Sequence, residues 1–282
     1  MQPTTASGRL VDFMRRHPTI MVGGLLLFTI ALAAVFAPLI ARDPLALEPI
    51  NRLKAPSTEF WLGTDSLGRD IYARMVYGAR ISLLVGLTVA FFSVLAGAVI
   101  GLVAGYFRRI DAVVMRLMDG LMAIPSILLA IALVSLLGAS VKVVIVAIVI
   151  PEIPRVTRLV RAVVLSVRDL PYVEAARSNG TRVGKLLRRH ILPSTVAPLI
   201  VQATYICASA ILTEAGLSFL GAGTPPEFPT WGNMIASSRL YLQIAPWTIF
   251  APGICLALVV LAVNLLGDGL RDRLDPRISR RM

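Results

Sequence analysis

Five runs of this 282-residue chain, residues 20–41, 81–107, 120–141, 191–213 and 240–267, hold 22 to 28 residues each without a single charged side chain. An α-helix rises about 1.5 Å per residue and the hydrocarbon core of a bilayer is about 30 Å thick, so roughly 20 such residues suffice to cross it. Inside lipid the backbone must satisfy its own hydrogen bonds, which restricts runs of this length to helices. The expected fold is therefore all-α and polytopic. Composition agrees: 56% of residues are hydrophobic and mean hydropathy is +0.78, above what a soluble domain carries. Run 20–41 follows Arg15, Arg16 and His17 as a signal peptide would, but it exceeds the about 7–15 residues of a signal core and reads as a retained first span.

A sixth stretch, residues 143–164, is interrupted by Glu152, Arg155, Arg158 and Arg161. Charge near mid-bilayer is costly, so local composition leaves it undecided. Topology decides it. If it spans, 20 of the 28 Lys and Arg fall on the side holding both termini and residues 107–119 and 152–190, in keeping with the positive-inside rule. If it does not, nine of them fall on the wrong side. Six spans with cytoplasmic termini follow. Arg158 and Arg161 are expected to snorkel toward that surface. Glu152 and Arg155, three residues apart, share a helix face and form a candidate ion pair, serving either the transport path or helix orientation.

The net charge of +12 is spread between apolar runs instead of forming one basic, aromatic-rich domain, so anionic lipid is its partner and nucleic acid is not. Cys207 and Cys255 lie in apolar stretches and offer neither a disulfide framework nor a metal site. Gly97, Gly101 and Gly105 strip one helix face of side chains every fourth residue, which lets another helix approach closely. Pro125, Pro151 and Pro154 are expected to bend their spans.

Residues 165–193 form the most informative polar segment. Pro171 can open a short helix, Ala175 and Ala176 make a smooth patch, and Asn179-Gly180 permits a left-handed turn before a basic second helix expected to stop before Pro193. Such a pair suits docking into another protein's groove or lying on anionic lipid. On the opposite side, residues 221–247 with Pro225, Pro226, Trp231 and Trp247 suit either a rigid partner-facing structure or an aromatic belt. No phosphate-cradling Gly-x4-Gly-Lys-Ser/Thr loop exists, since the string 180–186 has the wrong spacing and ends in Leu. No nucleophile and base pair is evident either, so catalytic residues are not assigned.

Glu174-Ala175-Ala176, then Gly180, then Leu192-Pro193 resemble the EAA signature of permeases from binding-protein-dependent ABC importers. Residues 62–70, 77–83, 217–223, 229–234, 264–272 and 274–277 are similar, in order, to motifs of the C-type dipeptide and oligopeptide branch, and His190 departs from the generic signature as that branch does. The resemblance implies a six-helix type I ABC importer transmembrane fold, with residues 1–80 as an N-terminal tail, first helix and external segment, and residues 81–282 as a five-helix permease core. It implies a bacterial inner-membrane protein that moves peptides, with nickel or glutathione as alternative cargo and a self-sufficient channel or secondary carrier as the remote alternative. A homologous second permease, two cytoplasmic ATPases that bind the ATP and Mg, and an external substrate-binding protein are the implied partners. This chain itself would hold no cofactor. Glu174, Ala175, Ala176, Gly180, Leu192 and Pro193 would form the ATPase-coupling loop, with Glu174 anchoring it through polar contacts.

Overall fold

A computed structural model describes residues 18–274, and within them secondary structure is helical, with no strand beyond one isolated bridge between Thr64 and Asp70. The helices are α1 (Pro18–Val35), α2 (Ala37–Ile40), α3 (Ile71–Tyr106), α4 (Arg108–Ala123), α5 (Ser126–Leu137), α6 (Val141–Val167), α7 (Pro171–Ser178), α8 (Val183–Leu186), α9 (Leu192–Phe219), α10 (Trp231–Ser238) and α11 (Trp247–Leu274). The terminal tails, including His17 and motif residues 275–277, lie outside the described residues. Four helices are long and apolar enough to cross a membrane: α1, α3, the continuous helix Val183–Phe219 that contains α9, and α11.

Run 120–141 does not form one straight span. Its chain arrives as the amphipathic α4 and turns by 86° into α5, which has only 12 residues. The cause is local: the ring of Pro125 excludes the α region for the residue before it, and Ile124 sits extended at φ −90° and ψ 126°. Pro151 and Pro154, by contrast, remain inside an unbroken α6. That helix is held along its length by the glycine ladder of α3, and Pro154 itself is buried.

The ladder also settles how the charged helix runs. A Cβ on Gly101 would meet the Cβ of Val160 at 2.8 Å, one on Gly105 would meet that of Val164 at 2.7 Å, and Gly97 faces Val156. Both sequences ascend together, so α6 lies parallel to α3 in close contact, and each fully buried valine fills the space a missing side chain leaves. A helix parallel to a spanning helix and in register with it over two turns crosses in the same direction. This is the arrangement that six traverses require.

The charges of α6 find protein partners. Arg161 makes a two-pronged pair with Asp111 of α4, with Nη2 to Oδ2 at 2.6 Å, and Arg158 Nη2 lies 2.5 Å from Asp119 Oδ1. Asp111 and Asp119 stand eight residues apart, on one face of α4. The two arginines reach toward the end of the bundle that carries α4, as expected, and are held there by a neighbouring helix. Their carboxylate partners are remote in the chain, which is why the span's own composition does not reveal them.

Around this pair, α9 runs antiparallel to α3 with Ile211 and Cys207 against Gly86, and α1 runs antiparallel to α11 with Gly23 against Ala262 and Leu266. The bundle therefore has two distinct ends. One carries α4 and α7 and is called the loop end; the other carries α10 and residues 42–70 and is called the cap end.

Candidate coupling interface and the opposite cap

At the loop end, α6 finishes at Val167, and Arg168 reaches back so that its Nη1 donates to the carbonyl of Gly105 at 2.8 Å. Pro171 then opens α7, its missing N–H costing nothing in the first turn. The helix closes with a paired turn: Gly180 N–H donates to Arg177 O at 3.0 Å and Thr181 N–H to Ala176 O at 3.2 Å. This is the Schellman arrangement, and it places Gly180 at φ +74°, where an L side chain is strained. Nothing lies within 4 Å of the position a Cβ would take on Gly180, so backbone conformation alone calls for glycine within this chain.

The loop is fastened from beneath by apolar side chains. Val173 and Leu186 are 1% exposed and Ile191 is fully buried, while Tyr172 Oη donates to the carbonyl of His190 at 3.3 Å. These anchors were not singled out by sequence reasoning, although a Val and a Leu on otherwise polar short helices are a readable amphipathic signal. Within this chain the Glu174 side chain is 65% exposed, and its closest charged partner is Arg177 of the same helix, at 3.9 Å. Ala175 and Gly180 are exposed and Ala176 is half-buried, so the expected small-residue patch is present and faces outward. Exposed Arg177, Arg182, Lys185, Arg188 and Arg189 surround it.

The second helix does not stop before Pro193. It passes from α8 through a π-turn at Leu187–Ile191 into α9, forming one 37-residue helix, and Leu192 N–H bonds to Leu187 O five residues back. A proline ring clashes with the carbonyl four residues earlier, and widening the turn just ahead of Pro193 relieves that clash without ending the helix. Leu192 is half-buried and Pro193 exposed at this junction. The loop is thus rigidly continuous with a spanning helix.

Glu152 and Arg155 are brought together as expected, with Arg155 Nη1 at 3.3 Å from Glu152 Oε1; the carboxylate is buried, and Arg155 also lies over the ring of Tyr205, 5.9 Å from its centroid. That contact bridges α6 and α9.

The cap end is built differently. Trp231, 1% exposed, donates from Nε1 to Met75 O at 3.0 Å, which removes it from any lipid-facing aromatic belt. Asn233 Nδ2 donates to the carbonyls of Thr224, Pro225 and Phe228 at 3.0 to 3.2 Å, and pins the proline-rich turn. Glu214 is 1% exposed and its Oε1 accepts from Ser218 Oγ at 2.8 Å and Thr224 Oγ1 at 3.3 Å. Arg69 Nε pairs with Asp65 at 2.7 Å, and the 2%-exposed Arg74 stands behind at 3.8 Å from the same carboxylate oxygen. Sequence reasoning did not single out Arg69 or Arg74; an arginine in the first turn of a helix reads as surface until the 50–70 segment folds over it.

Among the described residues no group of three or more His, Cys, Asp or Glu side chains could hold a metal ion. Residues 74–280 match the model of a family described as binding-protein-dependent transport system inner membrane component. The Probable peptide ABC transporter permease protein y4tQ of Sinorhizobium fredii is 59% identical over 279 residues, covering 99% of this chain and 96% of the relative. The Dipeptide transport system permease protein DppC of Alkalihalophilus pseudofirmus is 45% identical over 268 residues, covering 94% of this chain and 88% of the relative. Among solved structures, an inward-facing conformation of the MetNI methionine ABC transporter superposes with a TM-score of 0.60 at 19% identity, over 73% of this chain and 98% of that one, a likeness of fold.

Proposed function

This chain belongs to the family of binding-protein-dependent transport system inner membrane components, and from that premise we propose that it is the permease through which an ABC importer carries short peptides. As a permease of this family it sits in the inner membrane with several spanning helices and works with an ATPase and a substrate-binding protein. Two ATPases, a homologous second permease and cytoplasmic termini complete the proposed assembly, and ATP with its Mg is held by the ATPase chains.

One observation carries the mechanism: the loop end presents a short helix and glycine turn whose small surface is left exposed by the described residues, yet which is continuous with a spanning helix. In the proposed cycle the ATPase receives Ala175, Ala176 and Gly180 in a cleft, where side chains would hold the surfaces apart. The basic rim of Arg177, Arg182, Lys185, Arg188 and Arg189 lies against acidic groups of that cleft or against anionic headgroups. When the ATPases close on ATP, the loop is displaced, and the unbroken helix from Val183 to Phe219 transmits the displacement toward the cap end. Because α9 contacts α3, α6 and α11, its movement re-sorts the bundle from inward-facing to outward-facing.

Peptide cargo is supported by the names of both relatives and by the branch-specific motifs. The test is to tag the chain, purify it from native membranes in mild detergent, and identify its companions by mass spectrometry. A second permease, one or two ATPases and a binding protein that takes up peptides in preference to glutathione or nickel are the expected companions. A chain that purifies alone and moves solute in liposomes without ATP would overturn the reading.

A further inference from the structure

A cavity of about 510 Å³ opens at the cap end between residues 66–74 and residues 218–239. Its volume falls in the range of small-ligand sites, roughly 300–1,000 Å³. Its wall carries three guanidinium groups, Arg69, Arg74 and Arg239, and no carboxylate. Ser66, Ser218 and Ser237 also line it, with the hydroxyls of Ser218 and Ser237 already donating to Glu214 Oε1 and to the carbonyl of Met234. Two carboxylates stand nearby: Asp65 is taken by Arg69 at 2.7 Å and by the backbone N–H groups of Leu67 and Arg69 at 2.8 and 2.9 Å, and Glu214 Oε1 accepts from Ser218 and Thr224 while its buried Oε2 has no hydrogen-bond partner among the described residues. Arg74 is 2% exposed, its Nη1 is buried without a hydrogen-bond partner, and its contact with Asp65 is long at 3.8 Å. Arg239 is exposed and is paired with no carboxylate among the described residues.

A buried guanidinium with an unpartnered Nη1 and an exposed guanidinium paired with no carboxylate among the described residues together make a site short of one anion. Arginine presents a planar fork that matches a carboxylate in two parallel hydrogen bonds. We propose that this cavity is a subsite for a carboxylate, the free C-terminal end of a peptide arriving from outside. The proposal rests on the peptide reading above and deepens it, because the terminal carboxylate is the group that all unmodified peptides share whatever their side chains. A subsite for it is blind to sequence, as a general peptide path requires. The cavity also reaches Ser218 and Phe219 at the outer end of α9, the helix continuous with the coupling loop. A displacement begun at that loop therefore arrives at the wall of the site.

The test uses the complete permease and ATPase complex in nanodiscs, without binding protein, titrated with alanyl-alanine and with alanyl-alanine amide and read by saturation-transfer NMR. The free acid should bind at least about tenfold more tightly than the amide. Arg239→Gln should abolish that preference, Arg239→Lys should restore part of it, and the melting temperature should not move with either substitution. Equal affinity for acid and amide, no binding of the acid, or an unchanged preference in Arg239→Gln would overturn the subsite. So would a fourth result, in which Arg239→Gln weakens association of the binding protein with the complex and leaves the peptide titration alone; the cavity would then receive an acidic side chain of that partner. Uptake of alanyl-alanine by wild-type proteoliposomes given the binding protein separates the two readings. Uptake with a negative titration removes the subsite alone, and absent uptake removes the peptide reading with it.

Discussion

Both ends of the bundle finish a helix with the same backbone device. At the loop end Gly180 closes α7 at φ +74°, and at the cap end Gly221 closes α9 at φ +82°, with Gly221 N–H to Ser218 O at 3.0 Å and Ala222 N–H to Leu217 O at 2.8 Å. Their surroundings differ. The chain around Gly221 is folded in: Gly223 lies against Ser218, Thr224 is buried against Glu214, and Trp231 and Asn233 bind backbone carbonyls from beneath. The chain around Gly180 is folded out, with Glu174, Ala175 and Asn179 exposed and apolar anchors only on the inner side. The proline-rich turn of the cap is thus held by hydrogen bonds from this chain's own side chains. A loop that is mounted on apolar anchors, small-surfaced and left open on its outer face by the described residues is shaped to receive a partner.

Substitutions at glycines should separate the two ends, the largest effect coming first. Gly232→Val should prevent accumulation of folded protein, because its Cβ would sit 2.6 Å from the Cα of Ala215 and the dense cap offers no room; overpacking of this kind costs about 1–3 kcal/mol or more. Gly184→Ala at the loop end meets nothing within 4 Å and should leave membrane levels unchanged on quantitative immunoblots. Accumulation of Gly232→Val at wild-type levels would show the cap to be as loose as the loop.

Next in size is a matched pair, Gly180→Val and Gly138→Val. Both residues have positive φ and open space around them, but Gly138 at ψ 152° lies in a region only glycine favours, so Gly180→Val should cost ~1–2 kcal/mol and Gly138→Val at least as much, each lowering the melting temperature by several degrees. Uptake should part them: Gly180→Val should lose about tenfold or more in transport per ATP hydrolysed, and Gly138→Val should keep wild-type coupling. Equal coupling in the two would break the comparison.

Smaller still, Trp231→Phe removes one hydrogen bond from the cap and should cost about 1 kcal/mol of stability while leaving uptake near wild type. Exchanging Glu152 and Arg155 should do least. The pair lies on one face of α6 and the swap keeps it while giving up only the Arg155 contact with Tyr205 of α9, so uptake at normal membrane levels is expected; complete loss would move the pair into the transport path.

Much of this was legible because it was local. Runs without charge marked the membrane helices, Pro171 and Gly180 marked the bounds of α7, and the fourfold glycine spacing marked the face that α6 occupies. What escaped depended on residues far apart in the chain. Asp111 and Asp119 neutralise arginines about 40 to 50 positions away, and Arg74 is buried by a segment that looks like solvent-exposed loop. Pro193 misled for another reason: the expectation of a stop follows from the ordinary i−4 clash, and a π-turn is a solution that no single residue announces. The break at Pro125 was foreseeable in kind but not in degree, since a proline in an apolar run announces a bend and not its 86° angle.

The central claim, that the outer face of the 171–180 turn is where an ATPase docks, is tested most directly by a photo-crosslinking residue at Ala175, with the exposed cap residue Phe228 as the control, in membranes from cells making the whole transporter. The account predicts an ATPase adduct from Ala175 and none from Phe228. An Ala175 probe that reacts only with lipid, or that yields no ATPase adduct while the transporter remains active, would contradict it.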